Sequence, residues 1–395
     1  MENQSLLRKL FLPCTGLLVL LQTAILLLRG IARHIEATHI PEKITSPAIQ
    51  LWLPLGSFLV LLIAIYLCRK IDLKKIFNFG LILMGLVIIS SLHLFNPHIS
   101  HFLVSKLCPG FLLFLGWVYI NQIAIPSDGL KYYFPIYFFA ILFALYVERI
   151  PLKQISPESP SYPTVLLVMT ILCLVLAWIC GRTIFKKSSE AIKTDDPITT
   201  PSNYWIPAVS VALFVSGLKL IAFLNFDVLI RFLKASTGST SEYFSYLGKH
   251  SLFAGISTLF FLVLSISIGP WILKRKGWKF CILTIIALAA VPLLILSINP
   301  KLSMQTLNHT VLAGLTCTWM IPLGQIALLS YSQKDRFITQ AYALLVAVPF
   351  FEWGIRLCHV SLAVSLFMSF TILCLMAASV ILMTKNSRSL AMKVT

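Results

Sequence analysis

Glu352 and Arg356 lie one helical turn apart within an otherwise apolar run. At i and i+4 they either neutralise each other on one helix face or line an interior surface. Lys219 sits inside another apolar run with no acid beside it. It is too central to snorkel to an interface. It fits a cavity-facing cation that meets an anionic group, or a partner acid on another helix. Lys106, Asn121, Gln122 and Gln325 also fall within apolar runs. Arg29 and Arg33, with Lys106, Arg231 and Lys234, form either a solvated rim or a basic mouth for an anionic solute. Guanidinium forks suit carboxylate and phosphate. Ionisable groups at such depth are costly and mark solute or ion pathways. The chemistry they offer is binding rather than bond breaking. The chain carries no GxxxxGK[ST], HExxH or GxSxG. Its energy source must then be a gradient or a counter-substrate. No enzyme activity, metal or cofactor is expected. The nine cysteines are scattered singly, without CxxC pairs or Cys/His clusters, and read as small packing residues.

The elements that hold these groups are apolar runs of the length that spans a bilayer, roughly 20 residues each. About twelve are legible: Leu10–Leu28, Leu51–Leu67, Ile76–Phe95, Phe102–Ile125, Tyr132–Tyr146, Thr164–Ile184, Trp205–Phe226, Ser251–Leu273, Phe280–Ile298, Thr306–Ser330, Ala341–Ile355 and Val360–Met383. Hydrophobic residues make up 58% of the 395, charged residues 12%, and mean hydropathy is +0.89. An all-α polytopic membrane protein is expected, with no separate soluble domain. The net charge of +18 invites a nucleic-acid reading. The basic residues are instead parcelled into alternate loops, about 20 on one side and about 10 on the other, which is the positive-inside asymmetry. Both termini are expected in the cytoplasm, with an even number of spans and no nucleic-acid partner. The first run is too long for a signal-peptide core, and no small-residue cleavage site follows it, so it reads as a retained helix.

The polar loop Phe185–Asn203 cuts the chain into six spans plus six. Two halves follow, 1–184 and 205–395, joined by a cytoplasmic linker over 185–204. The loops CRKIDLKKIFNFG (68–80) and LKRKGWKFCIL (273–283) are tight, basic and equivalently placed in the two halves. Pro109–Gly110, Pro207, Gly269–Pro270, Pro322 and Pro349 fall inside spans, where a bundle tolerates the bends they cause. This organisation resembles major-facilitator carriers.

Several segments are also similar to the bacterial and plastid ATP/ADP translocases, a nucleotide transporter family. The strongest is SEYFSYLGKHSLFAGISTLFFLVLSISIGPWILKRKGWKF (241–280), followed by FLGWVYINQIAIPSDGLKYYFPIY (114–137), the FLP at Phe11–Pro13 and the MIPLGQ at Met320–Gln325. The resemblance implies ATP/ADP exchange or proton-coupled nucleotide import. It carries an important acid onto Glu242. The family's Lys in the first span falls at about Ala32, beside Arg33. Its fourth-span Glu falls at about Ser105, beside Lys106, and its eleventh-span Lys at about Glu352, with the charge reversed.

The expectation is a secondary transporter in a bacterial inner membrane, moving a nucleotide or related anionic metabolite by alternating access, with protons as a further partner. Glu242 and Lys219 are expected to bind or couple, with Arg33, Lys106, Glu352 and Arg356 behind them. Asn121 and Gln122 are placed to hydrogen-bond a base or ribose. The alternatives are a major-facilitator-type proton-coupled carrier of another small solute, and a transport-inactive membrane protein of the same fold.

Overall fold

A computed structural model describes residues 6–39, 73–93, 95–124, 126–149, 161–191, 205–237, 240–329, 336, 340–341 and 361–386. Among them every regular element is helical. A single turn at Leu6–Lys9 precedes α1 (Phe11–His39), which runs well past the apolar core read from sequence. Next come α2 (Leu73–His93) and α3 (Pro97–Phe102). A π-helical turn (Leu103–Leu107) then leads into α4 (Cys108–Ile123). Helix α5 (Pro126–Arg149) opens on a proline, whose fixed φ suits a first helical position, with Asp128 in its first turn. Helix α6 covers Tyr162–Ala191 and α7 covers Trp205–Ser236. Helix α8 spans Thr240–Ile298 and α9 Leu302–Leu315. A second π turn (Thr316–Met320) leads into α10 (Ile321–Leu328), and α11 is Leu362–Asn386. The second and eleventh expected spans lie outside the described residues, apart from Ala341.

At 59 residues, α8 would measure about 88 Å as one rod, far more than the roughly 30 Å hydrocarbon core. It is two helices joined at Gly277, whose φ of 82° and ψ of 170° only glycine adopts cheaply. The expected eighth and ninth spans therefore meet in a turn of very few residues. Trp278 Nε1–H donates to the Leu323 carbonyl at 3.0 Å and pins that turn against α10.

The chain forms two compact units. The first holds Met1–Asp128, Pro135–Thr199 and Gln333–Pro349; the second holds Gly129–Phe134, Thr200–Ser332 and Phe350–Thr395. In the first, α1 lies along α6 and against α4, and α2 packs on α6. The helices approach closely at Gly181, where a Cβ would come within 2.7 Å of the Phe77 ring. Phe77 stacks on Tyr119 at 4.0 Å, and Phe185 meets Tyr119 edge-on at 3.9 Å. That last contact explains a boundary difference. The loop expected from Phe185 onward begins as helix through Ala191, because Phe185 still has a ring to pack against.

In the second unit, α7 packs on α11 and α9, and α8 runs beside α9. Leu220 and Leu224 of α7 are buried with Met368 and Ile372 of α11 around them. Outward faces are apolar: Leu252, Phe253, Ile256, Phe260 and Val263 form an exposed stripe on α8. Exposed apolar area on this scale is what lipid covers. Seven described helices are long and apolar enough to cross a membrane. The protein is a multi-pass membrane protein.

Candidate functional site

A polar ladder runs through the second unit. Asn225, fully buried in the middle of α7, donates from Nδ2 to the Ile221 carbonyl at 2.8 Å and to Ser369 Oγ at 3.2 Å. Its Oδ1 accepts from Asn308 Nδ2 at 2.8 Å. Ser369 passes its own proton to the Ser365 carbonyl at 2.7 Å. Helices α7, α9 and α11 are thereby tied through amides and hydroxyls rather than charges. An apolar surrounding requires this, since a buried amide without a partner costs about 1–3 kcal/mol.

The next residue along each helix builds a second cluster. Phe226 follows Asn225, and His309 follows Asn308. His309 Nδ1 lies 3.0 Å from Nε2 of His250 on α8. The Phe226 ring centroid is 4.8 Å from His309 and 6.2 Å from His250, with planes tilted by 37° and 23°. Toward the start of α8, the Tyr246 hydroxyl meets Thr306 Oγ1 at 2.5 Å. Thr306 donates to the Leu302 carbonyl, so Tyr246 is the donor. Gln305, one turn before His309, is fully buried, and neither end of its amide has a partner among the described residues. Asn308 Oδ1, His250 Nδ1 and Ser365 Oγ share that condition. The interior of this unit therefore holds unspent donor and acceptor capacity, which in native proteins is met by water or ligand.

In the first unit, Asn121 sits at the end of α4. Its Nδ2 donates to Gln340 Oε1 at 3.0 Å. Arg336 is buried and donates from Nη1 to the carbonyls of Asn121 and Ala124 at 2.7 and 3.1 Å. A guanidinium at a helix C-terminus meets the carbonyls that the helix leaves open and the negative end of its dipole. Arg336 lies between the tenth and eleventh apolar runs, where basic residues read as solvated loop charges, and is instead a buried clamp on α4.

Of the expected site residues, three have described side chains: Asn121 in the first unit, and Lys219 and Glu242 in the second. Lys219 is exposed on α7 between buried Leu218 and Leu220, on the face that carries Phe226 two turns later. Glu242 is exposed in the first turn of α8. Asn121 is engaged at the Arg336 joint. Arg33, Lys106 and Gln122 lie on α1, the first π turn and α4, with side chains outside the described residues. Glu352 and Arg356 lie wholly outside them. Sequence reasoning passed over the histidine pair. Its only signal was a histidine at the entrance to each of two apolar runs, 59 residues apart.

No family model and no curated protein matches the chain. Solved structures match along nearly all of it. An outward-facing bacterial homologue of the iron transporter ferroportin aligns with a TM-score of 0.67 at 13% identity, covering 95% of this chain and 98% of that one. The fold is a major-facilitator fold. The E. coli transporter FucP in its outward conformation aligns with a TM-score of 0.62 at 12% identity, covering 94% and 98%. The proton:xylose symporter XylE bound to a bromo-deoxyglucose gives 0.62 at 14%, covering 97% and 96%. All are carriers rather than enzymes. The resemblance to nucleotide translocases is thus supported only at the level of a major-facilitator-like fold, not of that family. The segments that carried it are apolar helices with small residues and a basic Gly-Trp turn. Any major-facilitator bundle can repeat such features, because lipid and close helix packing demand them.

Proposed function

We propose that this chain is a secondary carrier that moves a small polar solute by alternating access, with protons as the coupling ion. The observation that carries the reading is the end-to-end likeness to carriers of sugar and iron, of which XylE and FucP are proton symporters. The polar interior of the second unit supports a small solute over a nucleotide. Its buried groups, Asn225, Gln305, Asn308, Ser365 and Ser369, are neutral hydrogen-bonders. A polyphosphate calls for desolvated Arg and Lys around each phosphate. Lys219, with its exposed position on the Phe226 face, and Glu242 remain the proposed charged contacts for solute or proton. Arg33, Lys106, Gln122, Glu352 and Arg356 stand behind them. The halves 1–184 and 205–395, joined through 185–204, would move against each other in a bacterial inner membrane, with both termini in the cytoplasm.

The test is uptake into proteoliposomes of radiolabelled D-xylose, L-fucose, iron(II), ATP and ADP, with and without an inward proton gradient. Accumulation of a non-nucleotide solute, abolished by a protonophore, is the expected result. Exchange of ATP for ADP would transfer the reading to nucleotides. No movement of any solute, from protein shown to be inserted, would leave the fold without the function. Within a working assay, Lys219→Ala should raise KM for an anionic solute while insertion stays normal. An unchanged KM removes Lys219 from the site.

A further inference from the structure

The histidine pair of the second unit, His250 buried and His309 half-buried, has no role in holding its helices that an apolar pair could not fill. The Asn308–Asn225–Ser369 ladder already fixes α7, α9 and α11, and the Tyr246–Thr306 bond and the Ser257 bond to the Thr310 carbonyl tie α8 to α9. What the pair offers is a proton. Two imidazole nitrogens 3.0 Å apart form a hydrogen bond only if one carries hydrogen and the other does not. The neutral pair therefore carries two ring protons, one of which lies in the hydrogen bond between the rings. Two tautomer arrangements satisfy this. In one, His309 donates and His250 Nδ1 is a buried N–H with no acceptor. In the other, His250 Nε2–H donates and His250 Nδ1 is a bare lone pair, facing no partner. Orphaned buried donors are rarer in proteins than under-used acceptors. The second arrangement is the one we adopt.

We propose that the His250–His309 pair is the proton site of this carrier, taking up one additional proton at His250 Nδ1 when water reaches the pair and releasing it when the helices close. The charge balance is simple. The neutral pair plus one proton gives a monocation in which His250 Nε2–H still donates to His309, so the hydrogen bond survives both states. The Phe226 face within about 6 Å of both rings favours the cation without anchoring it, as a fixed carboxylate would. Gln305 and Asn308 Oδ1, with their unspent amide capacity, give water somewhere to bind beside the pair. Closing of the helices strips that water and disfavours the charged form, which is how one site can load on one side and unload on the other.

Few other titratable groups share the face. Tyr243 and Tyr246 lie on the His250 side of α8, with Tyr246 engaged by Thr306. Lys219 lies about 10 Å along α7 from Phe226. Glu242 and Lys249 are exposed, and Arg231 is half-buried, five residues along α7 from Phe226 and so about 140° around the helix. Helix α9 holds no other titratable residue, and Cys374 of α11 is exposed. Asp227 follows Phe226 on α7, with its side chain outside the described residues, and no carboxylate with a described side chain is positioned to replace the pair.

This inference rests on the carrier reading for its purpose but not for its first test. The full-length protein, labelled with 15N-histidine and reconstituted in nanodiscs, is titrated by NMR, with His250→Gln and His309→Gln used for assignment. The expected result is one proton taken up by the pair between about pH 5 and 8, with a midpoint that moves by a unit or more in His309→Gln. A His250 that stays neutral down to pH 5, or that titrates alike with and without His309, overturns the proposal. In proteoliposomes, His250→Gln should lose gradient-driven accumulation while keeping gradient-free exchange of the same solute. Accumulation equal to wild type overturns the coupling and leaves the carrier reading standing. If no solute moves even with wild type, the carrier reading fails, and the NMR titration alone decides the proton site.

Discussion

Asn225 holds three helices through one amide, and its worth depends on what the unfolded chain does with the same group. Removing it leaves Asn308 Nδ2 without its acceptor and Ser369 Oγ without a donor. In water the orphaned groups would cost about 1–3 kcal/mol each. In a bilayer the reference state also finds partners, and measured interhelical bonds average about 0.6 kcal/mol. The second figure governs here, so Asn225→Ala should destabilise by about 1–2 kcal/mol. A cycle with Asn308→Ala should give a coupling of about 0.6–1.7 kcal/mol. Steric-trap unfolding in micelles measures both, and strict additivity would remove the ladder as a unit. Arg336 is a different case, because its donors serve helix-end carboxyl-side carbonyls that have no intrahelical partner. Arg336→Ala should cost about 1.5–3 kcal/mol, the range for charged hydrogen bonds. Arg336→Lys should recover only part of that, since one ammonium cannot reproduce the guanidinium fork. An alanine variant with wild-type thermal stability would return Arg336 to the solvated loops.

At the scale of elements, two prolines share one device. Pro109 opens α4 after the π turn Leu103–Leu107, and Pro322 opens α10 after the π turn Thr316–Met320. Proline removes one i→i−4 bond and crowds the carbonyl four residues back. A π turn widens the helix just there and absorbs the clash. These are the fourth and tenth expected spans, so each set of six repeats the feature in the same place. The prolines were legible in the sequence, and the π turns were not, because register is settled by the packing of both sides of the helix. The site shows the same limit. The sequence places Asn121 within an apolar run as a candidate hydrogen-bonder to a solute, while its partner Gln340 lies 219 residues away. Nothing local in either residue reveals which helix faces meet. Gly277 sits at the opposite extreme. A glycine inside a basic run between two apolar runs predicts a tight turn, and the turn is there. Its backbone conformation is one that other residues reach only at about 1–3 kcal/mol. No atom lies within 4 Å of where a Cβ would stand. Gly277→Ala should therefore lose about that much stability through backbone strain alone, with solute binding intact. Unchanged thermal unfolding would show that the turn relaxes to another geometry.

For the molecule as a whole, apolar surface and charge make two separate statements. The exposed stripe of Leu252, Phe253, Ile256, Phe260 and Val263 on α8 says that the helix crosses lipid. It says nothing of which end faces the cytoplasm. Charge decides that, through the excess of Lys and Arg that short loops keep on the cytoplasmic side. About 20 basic residues fall on the side of Arg8 and Lys9, against about 10 on the other. Burying Arg336 takes one from the larger group and leaves the imbalance near two to one. The turn at Lys274, Arg275, Lys276 and Lys279 belongs to the same side, and of these Lys274, Arg275, Lys276 and Lys279 are all exposed. The imbalance sets the expectation of a cytoplasmic C-terminus, on the same side as the N-terminus. A C-terminal green fluorescent protein fusion should fluoresce in bacterial cells, and a C-terminal alkaline phosphatase fusion should be inactive. Moving the phosphatase to Asn299, between α8 and α9, should switch it on, since one crossing separates that turn from the one at Gly277. An active C-terminal fusion would invert the topology, and with it the side from which the histidine pair first meets water.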